Sequence, residues 1–476
     1  MVKKPRVYLK FFPLLLVLAL FSFSLAGPAE AVPMRTAWVQ IYGQTGAPPP
    51  SYFSDIAQDL KMDNQGNVYV VGSTYLFNYN PDPDSPEVIL YVTARLIKYS
   101  PTGVALWEKP VAFVGQNHNA YLALDGGDCY VAADEGVYWM LRRFNSAGAS
   151  LGNYSVGPND PDPHVGPIAV DNEHNIYLGW KNHLYRFAPD GGTGIELKAY
   201  GPTGISKVVS IAVDGEFVYI TGDNFITEKY YRSSFTHVWT KQEAFTGFVQ
   251  KSKALALDGQ GNVYVTGVRE YHYINTWTDS ILTVKYGPDG NEIWRNLRGD
   301  HCWPAGLVVD YQGNAYVTGA GLNPARRFDR RYYRQDYYTA KYASADGAIL
   351  WENYYNDASN SLDAAVAIAL DPDTGNLAVT GTCERGNYPI DPDFISTSSI
   401  VTVGYSPSGQ QQWVQRYELA AGASENRSRA VAARGGKVAV AGICRLTSAS
   451  KDDFDWVTIS YRPVGRREPP TRPPRP

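Results

Sequence analysis

The apolar positions along this chain fall in short alternating runs, without the three-to-four spacing of amphipathic helices. The clearest pairs of runs are Ile168-Ala169-Val170-Asp171 leading to Asn175-Ile176-Tyr177, Ile211-Ala212-Val213-Asp214 leading to Val218-Tyr219-Ile220-Thr221-Gly222, and Ala256-Leu257-Asp258 leading to Gly261-Asn262-Val263-Tyr264-Val265-Thr266-Gly267. Asp can accept hydrogen bonds from the backbone ahead of it and Gly can take positive φ, so each pair predicts two β-strands around a tight polar turn. The phrase recurs at Met62-Asp63, Leu124-Asp125, Val309-Asp310 and Leu370-Asp371, making seven copies, and a weaker eighth runs from Val431-Ala432-Ala433 to Gly442. Small first-strand residues (Ala57, Ala169, Ala212, Ala256, Ala369) suit a strand crowded near an axis.

A second phrase follows the first: Lys98-Tyr99-Ser100-Pro101-Thr102-Gly103 to Trp107, Lys285-Tyr286 through Gly290 to Trp294, Lys341-Tyr342 through Gly347 to Trp351, and Tyr405 through Gly409 to Trp413. It predicts a second hairpin with an outer Trp. Leu141-Arg142-Arg143-Phe144 and Leu184-Tyr185-Arg186-Phe187 repeat it without the Trp, so the units holding Asp125 and Asp171 should be thinner at the rim. Two hairpins make a four-stranded unit, and such units in series predict a β-propeller. The last copy has a third strand, Trp456 to Tyr461, and then breaks into Pro and Arg; the missing strand stands at Ala37 to Gly43, which matches Gln412 to Tyr417. The expected architecture is all-β, a single propeller of eight four-stranded blades, closed by an N-terminal strand (36–43) in the last blade. Seven blades is the competing count.

The combination Ile-Ala-x-Asp-x-x-Gly-Asn-Val-Tyr-Val-Thr-Gly, the run Asp336 to Tyr342 and the Trp strand resembles the bacterial SBBP-type β-propeller repeat family over nearly the whole chain. The resemblance implies the propeller fold and a bacterial envelope or extracellular setting. It fixes no reaction and carries over no catalytic residue.

The chain start adds a location. Lys3, Lys4, Arg6 and Lys10 precede an apolar run from Phe11 to Ala26 and the small-x-small site Ala29-Glu30-Ala31, the pattern of a secretory signal peptide over 1–31. An uncleaved anchor is the alternative. The propeller would then occupy 32–465, with 466–476 a disordered Pro/Arg-rich tail. The mature protein is expected outside the cytoplasm, in the periplasm, at the cell surface or secreted, as a monomer without a membrane span. A net charge of -4 with both signs mixed argues against a nucleic-acid surface. Four cysteines (Cys129, Cys302, Cys383, Cys444) form no CxxC pair and are too few for a disulfide scaffold; buried free thiols are expected in preference to a Cys383–Cys444 bridge. The seven histidines show no zinc-ligand spacing.

Candidate chemistry sits on the long connections from second to third strands, since binding residues concentrate on loops held by a rigid scaffold. In blade 6, Arg326, Arg327, Arg330, Arg331 and Arg334 interleave with Tyr332 and Tyr333; in blade 5, Tyr271, His272, Tyr273 and Trp277 add rings able to stack on sugars. Arg among aromatics suits a protein partner or an anionic polysaccharide. The competing reading pairs the Arg with acidic loops and tucks the rings beneath their own loop. Asp82, Asp84, Asp391, Asp393, Asp452 and Asp453 fall on neighbouring blades and could converge on calcium, although capping of turns and solvation of long loops is the favoured reading; no other cofactor is expected. The leading expectation is a binding or scaffold propeller without catalysis. The alternative is a secreted polysaccharide lyase or glycoside hydrolase using the same face, since no catalytic constellation can be assigned.

Overall fold

Period-two patterning should yield strands that bury one face against a neighbouring sheet, and this is what the chain forms. The computed structural model describes residues 33–43, 51–78, 88–113, 119–135, 138–156, 165–189, 195–197, 204–273, 276–299, 301–324, 335–357, 362–385, 397–420, 424–446 and 453–464. These residues build eight four-stranded antiparallel sheets. Blades 1 to 7 span 51–113, 120–156, 165–197, 208–242, 249–298, 303–355 and 363–417. Blade 8 takes three strands from 424–463 and its outer strand from Met34–Tyr42, which pairs antiparallel with Asp455–Pro463. The weak eighth hairpin and the ring closure are therefore real.

Two rim details differ from expectation. Blade 3 is thin, its outer strand being only Ile195–Leu197, but blade 2 has a seven-residue outer strand, Ser150–Val156, in which Tyr154 takes the place of Trp. Blade 4 carries a Trp strand that the repeat pattern hid, because Phe235 at φ 56° replaces the Gly of the preceding turn before Trp239.

The first turns of blades 1, 3, 5 and 6 are each clasped by their own Asp. Asp310 Oδ1 accepts the backbone N–H of Gln312 and Asn314, while Oδ2 accepts Asn314 Nδ2 and Tyr316 Oη, each at 3.0 Å. Asp63, Asp171 and Asp258 hold the corresponding Asn and Tyr in the same way. Bonds to a charged acceptor contribute about 1.5–3 kcal/mol each when well formed. Burial alone would push the Asp310 carboxyl up, but these donors outweigh it and leave the group below its ordinary range.

Blades are joined by the outer Trp. Trp38, Trp107, Trp239, Trp294 and Trp351 each donate Nε1–H, at 3.1 Å, to a carbonyl in the second turn of the following blade: Pro101, Ser146, Pro288, Ser344 and Pro407. Lys98, Lys229, Lys285 and Lys341 reach the last four of these carbonyls with Nζ. In blades 2 and 3, Arg143 and Arg186 make the equivalent reach to Pro189 and Arg232. Gly347 shows why the turn needs glycine: its φ is +70°, and an added Cβ would lie 2.6 Å from the Trp294 ring.

The inner strands carry a second regularity. In seven blades the register shifts by a β-bulge opposite a Gly of the second strand, as where Ala57 faces Gly72 and Asp59 faces Val71, leaving Gln58 extra. The bulge bends the inner strand so that its carbonyl approaches that Gly.

Candidate functional site on the long-loop face

Antiparallel order places the turns between strands 1 and 2 and between strands 3 and 4 on one face, and the other connections on the opposite face. On that second face some blades rise above others. In blade 1 the three inner strands have 12, 11 and 12 residues, whereas the second strand of blade 3 has five. In blade 5, Val263–Tyr273 pairs with Thr276–Tyr286 up to the partners His272 and Trp277 and then Tyr273 and Thr276. Tyr271, His272, Tyr273 and Trp277 therefore lie on a projecting hairpin, where the sequence suggested a loop. Continued alternation and cross-strand pairing carry the strands past the body of the blade.

Beneath that hairpin is an aromatic and arginine cluster that the sequence pattern did not single out. Tyr271 is half-buried with its ring centroid 5.0 Å from Phe248. The Arg269 guanidinium lies over Phe248 at 4.3 Å and over Phe245 at 5.3 Å, and Arg295 approaches Phe245 at 5.8 Å while pairing with Glu243 at 3.1 Å. Phe245 and Phe248 stand on the connection between blades 4 and 5; the closely spaced pair Phe245-Thr246-Gly247-Phe248 was the available signal. Guanidinium planes over rings hold a cationic, stackable surface in place.

Arg326, Arg327, Arg330, Arg331, Tyr332, Tyr333 and Arg334 lie outside the described residues, as do Asp82, Asp84, Asp391, Asp393 and Asp452. Asp453 is described. Burial pushes its carboxyl up and the charge of Arg445 acts against that shift. Arg445 donates Nε and Nη2 to Glu425 at 2.8 and 2.6 Å, Arg427 pairs with the same carboxylate, and both guanidiniums lie over Phe454. Among the described residues no group of three or more His, Cys, Asp or Glu is placed to hold a metal ion.

A buried polar knot lies between blades 6 and 7. Asp363, Cys383 and Tyr337 are all fully buried; the Cys383 thiol donates to Tyr337 Oη at 3.7 Å, and Asp363 Oδ2 accepts the Asp357 backbone N–H at 2.6 Å. Burial pushes the Cys383 thiol well up, so it is no nucleophile at neutral pH. All four cysteines are free and buried. Burial, reinforced by the charges of Asp357 and Asp336 and opposed by the Asp357 N–H and Cys383, pushes the Asp363 carboxyl from 3.8 up to about 6. The folded state then holds this proton more tightly than the unfolded chain. Its contribution to stability falls as pH rises from about 4 to about 6, by up to about 3 kcal/mol. Asp363→Asn should therefore raise the urea midpoint at pH 7 and leave it little changed at pH 4; equal shifts at both values would show that the carboxyl does not ionise within the fold.

No family model and no curated protein matches the chain. Solved structures do. The C-terminal WD40 domain of Sif2 is similar at 11% identity over 85% of this chain and 96% of that one, with a TM-score of 0.52. BamB from Moraxella catarrhalis is similar at 9% identity over 86% of this chain and 98% of that one, with a TM-score of 0.47. Likeness at such identity speaks to the propeller fold alone.

Proposed function

We propose that this chain is an extracytoplasmic binding or scaffold propeller of the SBBP-repeat type, freed of residues 1–31 as a signal peptide, which as a monomer holds a protein or glycan on its long-loop face. The observation that supports this most is the asymmetry of the two faces. One is stitched flat by Asp–Asn–Tyr clasps and Trp donors, which leaves little to adapt to a partner. The other carries the blade 5 hairpin with Arg269, Phe245, Phe248 and Tyr271 grouped beneath it, next to the blade whose connection holds Arg326 to Arg334. Arg and aromatic side chains are the types that dominate interface energy and sugar stacking.

Replacing Arg326, Arg327, Arg330, Arg331 and Arg334 together by Ala should weaken capture of immobilised acidic polysaccharides or envelope proteins about ten-fold or more, with an unchanged unfolding midpoint. Unchanged capture would remove this face from the reading. A parallel screen of acidic and neutral polysaccharides for new reducing ends or unsaturated products should show none; clear turnover would replace binding by catalysis.

A further inference from the structure

The inner strands enclose an axial cavity of about 730 Å³, lined by residues from blades 1, 2, 4, 5, 6, 7 and 8. That volume falls within the range of small-molecule sites, roughly 300–1,000 Å³. Its wall mixes polar and apolar surface, the apolar part coming mainly from half-buried Ile56 of blade 1, Ile368 of blade 7 and Val431 of blade 8. Three charged side chains line it: Asp59, Lys61 and Arg429. Asp59 is fully engaged, accepting the backbone N–H of Leu60 at 2.8 Å, that of Leu122 at 3.0 Å, and Lys61 Nζ at 2.9 Å. These two charges cancel.

Arg429 is different. It is the extra residue of the blade 8 bulge, between Ser428 facing Gly442 and Ala430 facing Ala441, and it is exposed to the channel. Among the described residues it has no hydrogen bond and no ion pair. Burial and the like charge of Arg427 disfavour its cationic form; the Tyr75 phenol, also on the channel wall, acts in the opposite direction, and no carboxylate contributes. A guanidinium that lines a channel and has no counter-ion among the described residues favours a planar oxyanion, to which it can give two parallel N–H donors.

We propose that the axial channel is a binding site for a small organic acid, whose carboxylate sits on Arg429 and whose apolar body lies against Ile56, Ile368 and Val431. The site is independent of the long-loop face and stands or falls separately from it. Calorimetric titration of the purified protein with 4-phenylbutyrate, its uncharged amide 4-phenylbutyramide, and inorganic phosphate tests it. Saturable binding of about one 4-phenylbutyrate per chain is expected, weakened about ten-fold or more for the amide, for phosphate, and for Arg429→Gln, with Arg429→Lys intermediate. Because Arg429 has no partner among the described residues, both variants should melt as the wild type does, and the Lys variant supplies a second reading if the Gln variant does not fold. No binding of 4-phenylbutyrate, or equal binding of acid and amide, overturns the proposal. Equal binding by Arg429→Gln overturns the role of Arg429. Phosphate binding as tightly as 4-phenylbutyrate overturns the part played by the apolar residues of the wall.

Discussion

Trp294→Ala should lower the free energy of unfolding by about 3–5 kcal/mol, read as a shift of the urea midpoint. The indole is 5% exposed, packs against Tyr264 and Tyr342, and covers Gly347 of the next blade. Its removal opens a cavity between two blades whose rigid strands cannot collapse into it. Trp294→Phe keeps most of the ring and loses only the Nε1–H donor to the Ser344 carbonyl at 3.1 Å, so it should cost about 1–2 kcal/mol. Trp413 is the internal control. It stands at the same place in blade 7, but blade 8 has no second turn there, and its Nε1–H has no partner among the described residues. Trp413→Phe should cost less than Trp294→Phe. Equal losses for the two would mean that the indole donors do not join the blades.

Gly72→Ala should be more damaging still, at about 4 kcal/mol or more, and the variant is expected to accumulate unfolded. An added Cβ would lie 2.5 Å from the Ile56 carbonyl oxygen of the bulged strand and 2.7 Å from the fully buried Trp456 ring of blade 8. Neither the backbone nor a ring locked in the core can retreat. Gly259, in the first turn of blade 5, has open space around its Cβ position and an ordinary φ, so Gly259→Ala should stay within about 0.5 kcal/mol of wild type. Comparable stability of the two variants would refute the close approach at the bulge.

These two devices show what the amino-acid pattern reveals and what it hides. The eight hairpins could be read because Asp, Gly and alternating apolar residues act within a few positions of one another. The Trp and the second-turn phrase could each be read too, yet their connection could not, because donor and acceptor lie 39 to 63 residues apart in different blades. The recurring Thr-Gly looked like a strand ending. Its cause lies across the ladder, in a bulge whose extra residues, Gln58, Val209, Lys253, Ala305, Val366 and Arg429, share no chemical type. For that reason Arg429 gave no signal as a channel residue. The tip of the blade 5 hairpin reads as a loop in the sequence because Tyr271, His272, Tyr273 and Trp277 resemble binding residues more than they resemble strand-formers, although aromatic rings favour strands on general grounds.

The closure of blade 8 by Met34–Tyr42 also sets an order of assembly. Every Trp donor, and in blades 2 and 3 the Arg that takes its place, points to the following blade, so a growing chain can secure each blade as soon as the next one forms, but the junction of blades 7 and 8 has neither among the described residues. There Gln415 Nε2 instead donates to the Met34 carbonyl, 381 residues away in sequence. Bringing such distant segments together costs about 2 kcal/mol more than a closure of roughly 50 residues. The ring is therefore expected to complete last, and on heating to part first, at this one joint, like a bracelet at its clasp.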